Sequence, residues 1–142
     1  MDITRKKRIY MKKIGYAIYS KKEKEYCDFP QITSKGILSF KYKIDAVEHI
    51  VFLNDNNRDN YEIHTLFHNV ELINRACIKK IGYAIYIEQY KKYHTVLQIG
   101  TRGILSFKYK KYAIEYMNRY LSKNDKYGIH ALEVINMTGY II

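Results

Sequence analysis

The sequence of 142 residues contains no tryptophan, one proline and two cysteines. Cys27 and Cys77 provide no disulfide framework, and so few cysteines are typical of a reducing cytosol. No apolar run approaches the roughly 18 residues that a membrane-spanning helix needs, and the basic N-terminus leads into no signal-type apolar stretch. Acidic residues are also few, since 14 Asp and Glu stand against 25 Lys and Arg, for a net charge of +11. This balance excludes an acidic mimic of DNA, and we expect a cytoplasmic protein.

The composition indicates a globular protein with a biased codon usage. Hydrophobic residues make up 47% of the chain, which suffices for a core and excludes wholesale disorder. Sixteen tyrosines accompany many Lys, Ile and Asn residues, and all four residue types have AT-rich codons. The source that this favours is a low-GC bacterium, or one of its phages or mobile elements. The number of tyrosines is therefore no indication by itself of base stacking.

Two octapeptides occur twice in the chain, each time 67 residues apart. KKIGYAIY begins at Lys12 and again at Lys79, and GILSFKYK begins at Gly36 and again at Gly103. Further matches bring the identities to 22 over the 42 aligned positions 12–53. We interpret this as an internal duplication. The predicted divisions are a basic N-terminal extension (1–11), a first repeat (12–78) and a second repeat (79–142).

Hydrophobic periodicity predicts the same elements in both repeats. A first strand (around Ile14–Tyr19) is followed by a polar hairpin, a second strand and a third strand. In the third strand, Leu38, Phe40 and Tyr42 are predicted to face one way and Ser39, Lys41 and Lys43 the other. A helix and a fourth strand (Tyr61–Phe67; Tyr127–Ile135) complete a β-β-β-α-β unit. The predicted class is α+β, with antiparallel sheets each covered by one helix and packed about a pseudo-twofold axis.

The helices are predicted from apolar stripes at helical spacing. In the first repeat the inward positions are Ala46, Val47, Ile50 and Leu53, and Asp45 is predicted to cap the N-terminus. In the second repeat the inward positions are Ala113, Met117, Tyr120 and Leu121.

Residues Gly103–Phe107 followed by Ala113–Tyr120, with their first-repeat counterparts, form a layout with a known parallel. It resembles the three-strand-plus-helix modules of phage-integrase arm-binding and AP2-type DNA-binding domains. Those modules lay their sheet into the major groove, so the resemblance implies DNA contacts by Lys41, Lys43, Lys108 and Lys110. The chain departs from the pattern by lacking a Trp/Arg-rich first strand and by adding a fourth strand.

Positive charge is unevenly distributed between the divisions. The extension carries +3, the first repeat +1 and the second repeat +7. Basic residues interleaved with tyrosines suit phosphate backbones and unstacked bases, whereas the alternative is a solvated lysine-rich surface. The predicted nucleic-acid or partner-binding residues are Arg5, Lys6, Lys7, Arg8, Tyr90, Lys91, Lys92, Tyr93, Arg102, Lys108, Lys110, Lys111 and Arg119.

No catalytic or metal-binding motif stands out. The sequence has no phosphate-cradling glycine loop, nucleophile elbow or usefully spaced carboxylate pair. His64 and His68 lie on a predicted strand, about 13 Å apart, which does not build a metal site. His64 aligns with His130, and we expect both to bind backbone partners. Cys27 aligns with His94, and no zinc-type spacing exists. We therefore expect a non-enzymatic protein without cofactor or metal.

Three functional hypotheses follow. The first is a cationic binding protein that engages nucleic acid (RNA or DNA), or the guide or substrate channel of a nucleic-acid-loaded host nuclease, in the manner of an anti-CRISPR inhibitor. The second is a DNA-binding accessory or regulatory protein. The third is a protein–protein inhibitor or scaffold whose charge is incidental and whose edge strands or helix faces dock a partner.

Overall fold

The computed structural model describes residues 10–30, 35–53, 60–71, 78–98, 101–121 and 123–135. Within these ranges it contains strands, two α-helices and a short 3-10 helix (Glu88–Tyr90), so the predicted α+β class is confirmed. The elements are β1 (Tyr10–Ser20), β2 (Glu25–Tyr26), β3 (Asp28–Pro30), β4 (Lys35–Ile37), β5 (Ser39–Phe40), α1 (Lys43–Phe52), β6 (Tyr61–Glu71), β7 (Ile78–Ile87), β8 (Lys92–Tyr93), β9 (Thr95–Leu97), β10 (Arg102–Ile104), β11 (Ser106–Phe107), α2 (Lys110–Tyr120) and β12 (Tyr127–Ile135).

Four long strands form the centre of one antiparallel sheet, in the order β7, β12, β6, β1. β1 pairs with β6 and β7 pairs with β12. β6 and β12 then pair with each other where Phe67 lies opposite Glu133. The sequence predicted a sheet for each repeat; the structure instead joins them into one, because the last strand of each repeat offers the other an edge to pair with.

The two repeats make the same strand pairings at positions 67 residues apart. Tyr16 and Ala17 pair with Phe40 and Ser39, just as Tyr83 and Ala84 pair with Phe107 and Ser106. The hairpins pair Tyr19 with Tyr26 and Tyr86 with Tyr93. Each hairpin also contains one lysine with a left-handed backbone, Lys24 (φ 56°) and Lys91 (φ 52°), a conformation that residues other than glycine adopt infrequently.

Several predicted boundaries differ from the observed ones. β1 begins at Tyr10, opposite Glu71, so the predicted extension 1–11 overlaps β1 by two residues. The predicted fourth strand of the first repeat continues to Glu71, whereas that of the second is confirmed as Tyr127–Ile135. The second and third strands are each divided, because the chain leaves the main sheet and β3 pairs with β4 in a separate ribbon, as β9 does with β10.

Each helix covers one core on the sheet. α1 packs Ala46 and Ile50 against a cluster that includes Ile18 and Phe40. α2 packs Ala113, Met117 and Leu121 against the corresponding cluster, which includes Ile85 and Phe107. These inward positions are confirmed.

Two of the predicted inward positions are wrong, because Val47 is 41% exposed and Tyr120 47% exposed. Fully buried Ala46 and Ala113 set the rotation of each helix, and this turns both side chains towards the rim.

The predicted alternation of the third strand holds only as far as Phe40, since Leu38 and Phe40 pack in the core beneath α1 and Ser39 binds the other repeat. Leu38, Ser39 and Phe40 are all buried, while Tyr42 is 57% exposed. The strand ends at Phe40 and α1 begins at Lys43, so Lys41 and Lys43 do not lie on a strand, and neither do Lys108 and Lys110 in the second repeat. Tyr42, and not Asp45, occupies the N-cap of α1, without a side-chain hydrogen bond.

Ser39 is buried in the contact between the two repeats and bonds to the other repeat. The backbone N–H of Ile104 donates to the Ser39 hydroxyl (2.7 Å), and the N–H of Ile37 donates to the Ser106 hydroxyl (2.7 Å). The buried Gln98 amide adds two bonds to the Ser39 backbone, accepting from its N–H (3.0 Å) and donating to its carbonyl (2.6 Å). These bonds fix the ribbon of each repeat against the sheet of the other.

Apolar contacts between the repeats lie on the sheet face opposite the helices. Ile37 and Ile104, at the ends of the two ribbons, pack there against buried Ala17, Leu66 and Ala84 among others. A lone repeat of about 65 residues would bury only about 60% of the surface that its unfolded chain exposes and would be marginally stable, so this shared core is a large part of what stabilises both.

We predict that Ser39→Ala lowers the free energy of unfolding by about 1–3 kcal/mol, because it leaves the buried N–H of Ile104 without its acceptor. Urea denaturation measures the change, with the exposed Lys22→Ala as the control. An unchanged midpoint for Ser39→Ala would show that these bonds do not hold the repeats together.

Candidate functional site

A cavity of about 670 Å³ opens between the two repeats, and we call it the lysine groove. One wall is the β1–β2 hairpin and the β3–β4 ribbon of the first repeat. The other wall is the start of β7 and the segment from β11 into α2 of the second repeat. Its lining residues are Tyr19, Lys24, Glu25, Tyr26, Asp28, Lys35, Gly36, Ile37, Lys79, Lys80, Ile81, Gly82, Tyr83, Lys108, Tyr109 and Lys110.

The local sequence explains why lysines surround this cavity. Lys79 and Lys80 are exposed in β7, just before the inward-facing residues of the strand. Lys108 and Lys110 lie one and three residues after Phe107, which is buried in the second core. Gly82 lets these segments approach, because a Cβ there would stand 3.1 Å from the Phe107 carbonyl oxygen and 3.2 Å from Cδ1 of Ile37.

The groove is strongly cationic. Six of its lining side chains are lysines and two are carboxylates. Asp28 is paired with Lys35 at 3.9 Å, but both side chains are more than half exposed, so solvent weakens the interaction. An excess of positive charge therefore faces any ligand that enters.

Tyr19 and Tyr26 connect the groove to a histidine. The Tyr26 hydroxyl lies 2.7 Å from Nδ1 of His64, and Nε2 of His64 lies 3.2 Å from the Glu62 carboxylate. Burial, with Tyr19 and Glu62 adding to it, raises the pKa of Tyr26 well above its ordinary value. The phenol stays protonated, and where it donates to Nδ1 of a neutral imidazole, Nε2 carries the hydrogen that Glu62 accepts.

The second repeat contains the corresponding cluster. The Tyr93 hydroxyl lies 2.8 Å from Nδ1 of His130, and the His130 ring stacks on Tyr86 with centroids 4.6 Å apart. His68 from β6 stacks on the other side, at 3.9 Å and 5° between planes. Burial raises the pKa of Tyr93, and the neighbouring Tyr86 raises it further.

These contacts correct one expectation. His64 and His130 bind tyrosine hydroxyls, and not the backbone partners expected from the sequence. His68 is the histidine that approaches a carbonyl, with Nδ1 3.3 Å from the oxygen of Ala131. Among the residues the structure describes, no group of three or more His, Cys, Asp or Glu side chains is placed to hold a metal ion.

Cys27 has the character of a structural thiol. Burial raises the pKa of its side chain, and the carboxylates of Asp28 and Glu25 raise it further. The thiol is therefore protonated near neutral pH and is a poor nucleophile.

The predicted binding residues fall in several places. Of those that lie in the described ranges, Lys108 and Lys110 line the lysine groove. Tyr90, Lys91 and Lys92 are exposed on the β7–β8 hairpin, Arg102 is exposed in β10, and Lys111 and Arg119 are exposed on α2. Tyr93 is committed to the His130 cluster. Arg5, Lys6, Lys7 and Arg8 lie outside the described residues.

The binding residues predicted from the sequence do not include the first-repeat wall of the groove. Tyr19, Lys24 and Lys35 were not selected, because the first repeat is nearly neutral as a whole. Lys79 and Lys80 were also not predicted, although they are the first two residues of the duplicated octapeptide. The signal available in the sequence was local lysine density, not the net charge of each repeat.

Comparison with known proteins returned no similarity, since no protein-family model, curated protein or solved structure matches this chain. In the portion of the chain with described structure, neither helix is long and apolar enough to cross a membrane.

The histidines predict how stability depends on pH. Burial lowers the pKa of His130 below 6.5, and His68 and Lys12 lower it further against an opposing effect of Glu88. Burial likewise lowers the pKa of His49. Because the unfolded chain binds these protons more readily, we expect the free energy of unfolding to fall as the pH drops from 8 towards 5.5.

Urea denaturation across this pH range tests the prediction, with His130→Gln expected to show a shallower pH dependence than the wild type. An equal slope in the two proteins would contradict the assignment to His130. His49→Gln serves as a second, independent reduction of the slope.

Proposed function

We propose that this protein is a non-enzymatic nucleic-acid-binding protein, and that the lysine groove holds the phosphate backbone. The observation that carries the proposal is the gathering of six lysines from both repeats around one cavity with two carboxylates. Each lysine that contacts a phosphate releases a condensed counterion, which makes binding favourable and dependent on salt.

The tyrosine rings support the same ligand. Tyr109 is 50% exposed at the groove, with the Lys108 ammonium 5.6 Å from its ring centroid. An exposed ring next to a cation offers a stacking surface to an unpaired base whose phosphate the lysine binds. Tyr19 and Tyr26 are half-buried and act as a rigid wall.

A non-enzymatic role agrees with the state of the reactive groups. The Cys27 thiol is protonated, and the phenols of Tyr26 and Tyr93 are held protonated against histidine nitrogens. We assign these groups a structural role. We further propose that the fold arose by duplication of a β-β-β-α-β unit, which the recurrent pairings support, in a phage or mobile element.

We predict that Lys108→Glu with Lys110→Glu weakens binding to a labelled 24-nucleotide DNA by roughly tenfold or more at 0.1 M salt. The slope of log K against log salt should also become shallower by about 1.5, because two phosphate contacts are lost. Fluorescence anisotropy with single-stranded DNA, duplex DNA and RNA measures both quantities.

Lys111→Glu with Arg119→Glu is the matched control, because it changes the net charge equally at exposed positions of α2 that do not line the groove. If both double variants lose affinity to the same extent, binding depends on overall charge and the groove is not the site.

A second candidate function, docking of a protein partner, is favoured by the surface of α1. Ile44, Val47, Val51 and Phe52 are 61%, 41%, 49% and 74% exposed. Their spacing places them on one side of the helix, and exposed apolar stripes of this kind mark interaction sites. α2 carries lysine, asparagine and arginine at the positions of Ile44, Val51 and Phe52.

We predict that Ile44→Ser with Phe52→Ser leaves DNA affinity within about twofold of the wild type, because these side chains lie outside the lysine groove. Anisotropy measures this, and thermal unfolding checks that the variant folds. A large loss of DNA affinity would place nucleic acid on α1. Protein binding that survives nuclease and high salt and disappears in this variant would favour the second candidate.

A further inference from the structure

We infer a second phosphate-binding groove in this protein, at the positions that correspond to the lysine groove through the 67-residue offset. We call it the second groove, and it holds phosphate more strongly than the lysine groove does. The inference rests on the proposed function, because it assigns a second site for the same ligand.

Residues of both repeats also meet at the second groove. Lys12 and Tyr86 correspond to Lys79 and Tyr19, which line the lysine groove, and the Lys12 ammonium lies 5.6 Å from the Tyr86 ring centroid. The floor has the same close approach. A Cβ at Gly15 would stand 3.0 Å from the Phe40 carbonyl oxygen and 3.7 Å from Cδ1 of Ile104, as Gly82 does with the corresponding partners.

The walls are held by reciprocal bonds. Ile37 binds Ser106 beside the lysine groove, and Ile104 binds Ser39 beside the second groove, each at 2.7 Å. The hairpin lysines Lys24 and Lys91 share a left-handed backbone that costs about 1 kcal/mol or more and is kept at both sites. These bonds and backbone conformations therefore occur at corresponding positions around the two grooves.

The side chains on the ribbon wall are less acidic in the second groove than in the lysine groove. Glu25 and Asp28 of the lysine groove correspond to Lys92 and Thr95, so both carboxylates are absent from the corresponding positions of the second groove. The lysines at the remaining corresponding positions are retained, Lys41 and Lys43 among them. The charge that faces a phosphate is accordingly higher.

The two ribbon walls also differ where Lys35 of the lysine groove corresponds to Arg102, whose hydrogen-bond partner is neutral. In the lysine groove, Lys35 pairs with the Asp28 carboxylate at 3.9 Å. At the corresponding positions, Nε of Arg102 donates to the Thr95 hydroxyl at 3.0 Å. The hydroxyl orients the guanidinium without neutralising it, so the terminal N–H groups can bind two oxygens of one phosphate.

This hairpin contributes one carboxylate of its own, which acts on His130 beside Lys12 and offsets part of that charge. Glu88 belongs to the 3-10 helix after β7 and its carboxylate lies 3.4 Å from the Lys126 ammonium. Glu88 corresponds by offset to Lys21, which does not line the lysine groove. The predicted residues Lys91, Lys92 and Arg102 thus belong to the second groove, whereas Lys108 and Lys110 belong to the lysine groove.

Two grooves on one chain predict that a single molecule contacts two stretches of phosphate backbone. A long strand can follow both grooves, and two short strands can occupy them separately. The binding stoichiometry for a short oligonucleotide therefore reports on the second groove independently of the lysine groove.

The test exchanges the walls between the grooves. Lys92→Glu with Thr95→Asp gives the second groove the acidic wall of the lysine groove, and Glu25→Lys with Asp28→Thr does the reverse. All four residues are exposed, and thermal unfolding checks that each variant folds. The probes are the labelled 24-nucleotide DNA in anisotropy and an 8-nucleotide DNA in titration calorimetry.

We expect Lys92→Glu with Thr95→Asp to weaken binding of the 24-nucleotide DNA by tenfold or more and to reduce the 8-nucleotide stoichiometry from two to one. Glu25→Lys with Asp28→Thr should strengthen binding several-fold. Wild-type affinity and stoichiometry in Lys92→Glu/Thr95→Asp, together with loss in Lys108→Glu/Lys110→Glu, would overturn the second groove and leave the proposed function standing. Absence of binding by the wild type to DNA and to RNA alike would overturn both.

Discussion

The two repeats hold each other through buried polar contacts, and the rest of the structure depends on this arrangement. Ser39 and Ser106 each accept a backbone N–H from the other repeat, and β6 pairs with β12 at the centre of the sheet. An unpaired backbone donor inside a protein costs more than a made bond contributes, so these contacts fix one relative position of the repeats. The ribbons then have to lie across the neighbouring repeat.

That crossing creates the lysine groove. The lysine groove takes its hairpin wall from the first repeat and its helix-start wall from the second. Charge in such a site is a property of opposed surfaces and not of one repeat. A nearly neutral first repeat and a cationic second repeat therefore contribute lysines to the same cavity, and the few carboxylates that the first repeat adds decide how strongly cationic it is.

Local features of the fold followed from the sequence. The α+β class, β12, and the inward positions Ala46 and Ala113 were predicted, because they depend on periodicity within a few residues. The predictions failed at Tyr42, Val47 and Tyr120, whose exposure depends on where the strand ends and on how each helix is turned against the sheet. The sequence of one repeat likewise does not show that the Ser39 hydroxyl accepts a hydrogen bond from the other repeat.

The sequence by itself determined the repeat, the excess of lysine and the supply of tyrosine, since these are properties of its letters. Only the tertiary structure decided which lysines face one another and which histidines bind tyrosine. Partners such as Gln98 and Ser39, 59 residues apart, meet because strands from both repeats pair and bury their edges together. No spacing along one repeat contains that information, because the contact is made between repeats.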